Sequence, residues 1–162
     1  MWLTLTRSLE PGGWLELQEL SVPVSDDGTM GPETSLYQAA KVMRDGAAAA
    51  GRPFVDLYTL KDMLRKAGFI NIVEKRLHWP SNPWPRDPKL KEIAGWNNAN
   101  VKSGLEAFLI AFGTRMLGWS ADEVRILSAK AWTDSNDRKI HSYWPVVVVY
   151  GQKPEGTGKA QA

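Results

Sequence analysis

The sequence contains no cysteine and only two histidines, His78 and His141. The first absence excludes disulfides and thiolate metal sites, and it accords with a reducing compartment. The two histidines lack ligand spacing, so no metal site is expected. No apolar run approaches the roughly 20 residues that cross a bilayer. The opening residues, MWLTLTRSL, are too short for the apolar region and cleavage site of a signal peptide. A soluble, cytoplasmic protein without a membrane partner is the expectation. An excess of one charge is also missing: the formal net charge is +2 and the basic residues are scattered among acids, which argues against nucleic-acid binding. No G-x-S-x-G elbow supports Ser/His/Asp catalysis, and no G-x-G stands between a strand and a helix.

What is present is one domain's worth of chain, 162 residues of which 43% are apolar and 23% charged. Pro11-Gly12-Gly13 ends any preceding helix, and Trp14 to Leu20 leaves that turn extended. Leu15, Leu17 and Glu19 alternate with Trp14, Glu16, Gln18 and Leu20, which is an amphipathic strand with Glu16 facing either solvent or a pocket. Ser25-Asp26-Asp27-Gly28-Thr29 is a polar turn and a possible lid. A helix is predicted from Pro32 and Glu33 to about Ala50. A second carries Leu57, Leu60, Met63 and Leu64 and stops at Arg65-Lys66-Ala67-Gly68. Residues 69–77 read as a strand that runs into the proline-rich 78–85, a segment predicted to be irregular and outside any sheet interior.

Residues 89–117 form the longest predicted helix, with an inner face traced through Leu90, Ile93, Asn97, Val101, Leu105, Phe108 and Phe112. Asn97 interrupts the apolar stripe, and Asn100 and Gly104 sit on its edge. Buried amides must be paired or look into a polar cavity. Gly118 and Trp119 break the helix, and Ser120 with Glu123 makes a capping box for another that runs to about Thr133. The last strand is predicted over residues 140–151. Val146, Val147, Val148 and Val149 make it apolar on both faces, so it belongs in the middle of a sheet.

The blocks LEPGGWLELQEL, SDDGT, GRPF, LRKAGF, NPWPRDPKLKEIA, LGWS and HSYWPVVVVYGQKP, in this order from Leu9 to Pro154, resemble the second half of the fungal LaeA-like group of class I SAM-dependent methyltransferases. The resemblance implies an α/β, partial Rossmann-like fold of about three strands with an antiparallel hairpin, covered by four helices. The valine-rich strand would insert between the other two. Residues 1–153 would be one truncated domain and residues 154–162 a flexible tail. In the family, the glycine-rich loop and the acidic residue that hold SAM lie before the PGGW block, so no cofactor, and no SAM site in particular, is expected. The first strand would lack its usual neighbour, and the open edge implies a homodimer. A separate partner chain supplying the other half is the alternative.

The candidate chemistry rests on few residues. His141 and His78 lie where strands meet loops, and an imidazole both accepts and donates protons near neutral pH. Each is alternatively a surface or hydrogen-bonded residue. Tyr143 and Glu16 are candidate acid or orienting partners. Trp79, Trp84, Trp96 and Trp144 around Asn97 and Asn100 suggest a wall for a small, largely apolar metabolite, or else a tryptophan-rich core. The reading that follows is a SAM-independent tailoring enzyme of fungal secondary metabolism, of cyclase or isomerase type. The alternatives are a non-catalytic interaction or regulatory module and half of a split methyltransferase.

Overall fold

The computed structural model describes residues 8–155, so the readings of the first seven residues and of most of the tail lie outside the described residues. The fold is mixed α/β, and its contacts group into two compact units that interleave along the chain. One comprises the chain up to Leu20, Val55–Leu77 and the chain from Val146. The other comprises Ser21–Phe54 and His78–Pro145.

The sheet consists of strands β1 (Trp14–Leu20), β2 (Ile70–Pro80) and β3 (Tyr143–Gln152), in the order β1-β3-β2, and the first unit holds β1, β2 up to Leu77 and β3 from Val146. The expected central place of the valine-rich strand is observed. β1 runs antiparallel to β3, with Leu17 opposite Val149 and Leu15 opposite Gly151. Leu15 and Leu17 pack with Val147 and Val149 on Leu57, Leu60, Leu64 and Phe69. Those four come from a short 3-10 turn (Leu57–Thr59), helix α2 (Leu60–Lys66) and the residues after it. Burying such a side chain contributes about 1.5–3 kcal/mol. Asp56 caps the turn by accepting from Tyr58 N. Gly68 ends α2 at φ 87°, a conformation that strains any residue with a Cβ. Asn71 Nδ2 donates to Gln152 Oε1 at 2.9 Å, and just beyond the other end of the two strands Ser81 N donates to Ser142 O at 3.0 Å. Those pairs fix β2 antiparallel to β3.

The second unit packs helices α1 (Ser35–Ala49), α3 (Pro88–Leu117) and α4 (Ala121–Asn136) around Leu36, Ala39, Met43, Val101, Leu105, Leu109 and Val124. Thr34, not Pro32 or Glu33, caps α1, its hydroxyl accepting from Tyr37 N at 3.2 Å. The predicted capping box of Ser120 and Glu123 is present at the start of α4. Close helix approach depends on two glycines. A Cβ on Gly46 would lie 2.4 Å from Phe112 Cβ, and one on Gly113 would lie 2.8 Å from Val124 Cγ2.

Three sequence boundaries move. β2 extends through His78, Trp79 and Pro80, because an edge strand needs no donor from proline on its outer side. β3 begins at Tyr143 and not at Ile140, and α4 continues to Asn136. The inner face of α3 runs Ala94, Asn97, Val101, Leu105, Leu109, Gly113. Phe108, read as internal, is 59% exposed.

Candidate functional site

The turn at residues 25–29 and the start of β3 are locked together by a bridge between Val24 and Tyr143, each amide donating to the other's carbonyl at 3.0 and 2.9 Å. The bridge sets two adjacent aspartates against two alternate residues of the other segment. Asp27 Oδ2 lies 2.6 Å from His141 Nδ1. Tyr143 Oη donates to Asp26 Oδ1 and Oδ2 at 2.9 and 3.0 Å. Alternation along an extended segment sends residues 141 and 143 to the same side, which is why one turn can serve both.

Asp27 is the hub. Its Oδ1 accepts from Ser25 Oγ at 2.6 Å, Thr29 Oγ1 at 2.7 Å and Thr29 N at 3.1 Å. Thr29 Oγ1 in turn accepts from His141 N at 2.8 Å. The hydroxyls of Ser25 and Thr29, then His141, hold the Asp27 carboxyl well below the usual carboxylate range, so it stays ionised and can only accept. A carboxylate facing Nδ1 places the imidazole proton on that nitrogen and leaves the Nε2 lone pair available to take a proton. The His141 side chain is 39% exposed, open enough to meet a ligand.

Aromatic rings fix both side chains. Trp84 stacks on His141 with centroids 4.8 Å apart, and its Nε1 donates to Ser142 O at 3.0 Å. His78 stacks on Tyr143 at 4.1 Å. Asn82, 1% exposed, shapes the approach to β3 by donating to Ser135 O, Asp137 O and Ile140 O at 3.0–3.2 Å.

A second feature lies on α3. Trp79, Ile93, Trp96, Asn97 and Asn100 line a groove of about 490 Å³. Asn97 Nδ2 donates to Trp79 O and Pro80 O, both at 3.1 Å, so this buried amide is paired as its burial requires and pins the end of β2. Trp96 is 74% exposed, a bare aromatic plane at the groove's rim.

The ten candidate residues thus fall into four places. His141, Tyr143, His78 and Trp84 form the cluster. Trp79, Trp96, Asn97 and Asn100 form the groove. Trp144 packs partly buried against the helical core, as the core alternative had it. Glu16 is exposed on β1, where Gln18 Nε2 donates to it at 2.6 Å. Sequence reasoning missed Asp26, Asp27, Ser25, Thr29 and Asn82. Two neighbouring acids inside a turn-forming run were the available signal.

Three amides in the two glycine turns that flank β1 are engaged. Gly12 N donates to Lys153 O and Gly13 N to Glu10 O. Beyond Gly28, Thr29 N is bonded to Asp27. Among the described residues no group of three or more His, Asp or Glu is gathered as metal ligands, and no helix is long and apolar enough to cross a membrane.

No family model matches the chain. It is 40% identical over 152 residues to the probable methyltransferase tdiE of Emericella nidulans, spanning 93% of this chain and 48% of that protein. It is 34% identical over 158 residues to the methyltransferase pytC of Aspergillus terreus, spanning 94% and 49%. The secondary metabolism regulator LAE1 of Cochliobolus heterostrophus is 33% identical over 150 residues, spanning 91% and 49%. The chain therefore spans about half the length of the curated relatives it matches. Among solved structures, a Haemonchus contortus phosphoethanolamine N-methyltransferase is similar at 16% identity and TM-score 0.43 over 95% of this chain and 29% of that one.

Proposed function

We propose that this chain, the counterpart of about half of a fungal LaeA-like methyltransferase, serves secondary metabolism by proton transfer on a small organic metabolite, with His141 as the base. The observation that carries the reading is the 2.6 Å contact of Asp27 with His141 Nδ1. Asp27 fixes the tautomer and compensates the positive charge the ring gains when Nε2 takes a proton. The same nitrogen returns that proton at another position of the metabolite, which is an isomerisation, or a cyclisation where a new bond closes in between. His78, stacked on Tyr143, and Trp84, stacked on His141, limit the motion of both side chains. The groove of Trp79, Trp96, Asn97 and Asn100 supplies an apolar surface for a flat or flexible substrate. Action without SAM belongs to this proposal and is in keeping with the engaged amides of Gly12 and Gly13.

The names and double length of the relatives favour a second reading, in which the chain is the acceptor-handling half of a methyltransferase whose cofactor is held elsewhere. His141 would then deprotonate the acceptor. β1 lies at the end of the described sheet, and a second copy of the chain is the proposed cover of its outer edge under the first reading, the other half of the methyltransferase under the second. A cytoplasmic location is also part of the proposal.

Metabolite profiling of a host strain carrying His141→Gln tests the base. A profile like that of the gene deletion, with a precursor accumulating, is expected; a wild-type profile would sink the assignment. Calorimetry with SAM tests the absence of a cofactor site that both readings assume, since micromolar binding by the chain contradicts it. A monomer by light scattering would remove the dimer.

A further inference from the structure

Four buried polar side chains, one of them on the residue that follows His141, lie on segments tied to one another by hydrogen bonds. Ser81, Ser135 and Ser142 are 0% exposed and Asn82 is 1% exposed. Ser81 Oγ, Asn82 Oδ1, Ser135 Oγ and Ser142 Oγ each have no hydrogen-bond partner among the described residues. Their backbones bring them together. Ser81 N donates to Ser142 O at 3.0 Å, which brings the backbones of the two serines together just beyond the ends of β2 and β3. Asn82 follows Ser81 in the chain, and its Nδ2 donates to Ser135 O at 3.1 Å. With that nitrogen engaged by three carbonyls, Oδ1 is the part of the amide still lacking a partner.

Buried polar atoms are nearly always satisfied in folded proteins, and four unsatisfied ones in one patch require an account. Enclosed water is the usual partner, making two to four bonds to groups of this kind. The chemistry is complementary. Asn82 Oδ1 only accepts, whereas serine hydroxyls accept or donate, so a water donating to Asn82 and accepting from a serine satisfies both. We propose that Ser81, Asn82, Ser135 and Ser142 enclose an internal water site. Ser142 O also accepts from Trp84 Nε1 at 3.0 Å, so the enclosed water supports the segment that sets His141 and Tyr143 in place.

Alanine variants at Ser81, Ser135 and Ser142 test the site through the sign of the melting shift. Removing a hydroxyl that binds water lowers the melting midpoint by a few degrees. Removing one that is merely unsatisfied leaves the midpoint unchanged or raises it, and that result overturns the proposal. A high-resolution crystal structure of the full chain is the second measurement. Density for water within hydrogen-bond distance of at least three of the four atoms is expected. Serines rotated onto backbone carbonyls, with no water between them, would overturn it.

Discussion

The cluster at the start of β3 and the groove on α3 use the same kinds of residue, aromatics with small polar groups, but they are held differently. In the cluster, His141 and Tyr143 are fixed by partners 114 and 117 residues away in the chain, and each ring is stacked on another. In the groove, Asn97 is tied to β2, while Asn100 and Trp96 stand in the open. A side chain that moves protons must keep its geometry, because transfer demands hydrogen-bond distance and a defined tautomer. A surface that receives an apolar molecule needs shape and area more than fixed angles. Under the proposed function, chemistry belongs to the first region and contact to the second.

The largest expected effect tests that division directly. His141→Gln keeps a hydrogen-bonding group of similar reach but cannot take up a proton. Conversion of the metabolite is expected to fall by about 10²–10⁴-fold, the usual weight of a general base. Trp96→Ala in the groove is expected to act on apparent substrate affinity and leave turnover nearly intact. Equal losses of turnover in both variants would erase the distinction between the regions.

Next in size is the support beneath the cluster. Asn82→Ala strands three backbone carbonyls, and a loss of about 2–4 kcal/mol in urea unfolding is expected from the desolvation of unpaired groups. The groove offers a matched pair one turn apart. Asn97→Ala is expected to cost about 1–3 kcal/mol, and Asn100→Ala to stay within about 0.5 kcal/mol. Similar costs for the two would mean that Asn97's bonds to Trp79 and Pro80 contribute little.

Sequence reasoning reached the parts of the fold that local signals determine. The PGGW turn, the stop at Gly68, the capping box at Ser120 and the two-sided valine run each carry their own evidence within a few residues, and β3 is central as expected. On the face of α3, Phe108 was misread as internal, whereas Phe112 packs partly buried against the core as expected. Beyond Leu105 the contact line of α3 continues in steps of four through Leu109 to Gly113, where close approach to Val124 requires a glycine, so the apolar pattern gives out where packing is tightest. His141, Tyr143, Trp84 and His78 were legible as chemistry-bearing types at strand ends. Their partners Asp26 and Asp27 were not, because a turn of polar residues looks the same whether it faces solvent or a strand more than 100 residues on. Only the bridge of Val24 to Tyr143 decides that.

The smallest expected effect concerns pH. Because hydrogen bonds from Ser25, Thr29 and His141 depress Asp27's folded pKa below its unfolded value, its contribution to stability is fully present above the ordinary carboxylate range. It is lost as pH falls through the depressed folded pKa. The melting midpoint of the wild type should therefore exceed that of Asp27→Asn at pH 6, and the gap should close as pH is lowered from about 5 toward 2, the side of the carboxylate range where protons are taken up. Asp27 is half-exposed, so solvent screens the contribution and a modest gap is expected. The groove has no such carboxylate among its lining residues, and Asn100→Ala should track the wild type across the same window. A gap for Asp27→Asn that stays constant down to pH 2 would show that the turn is held by shape and not by its ionised hub.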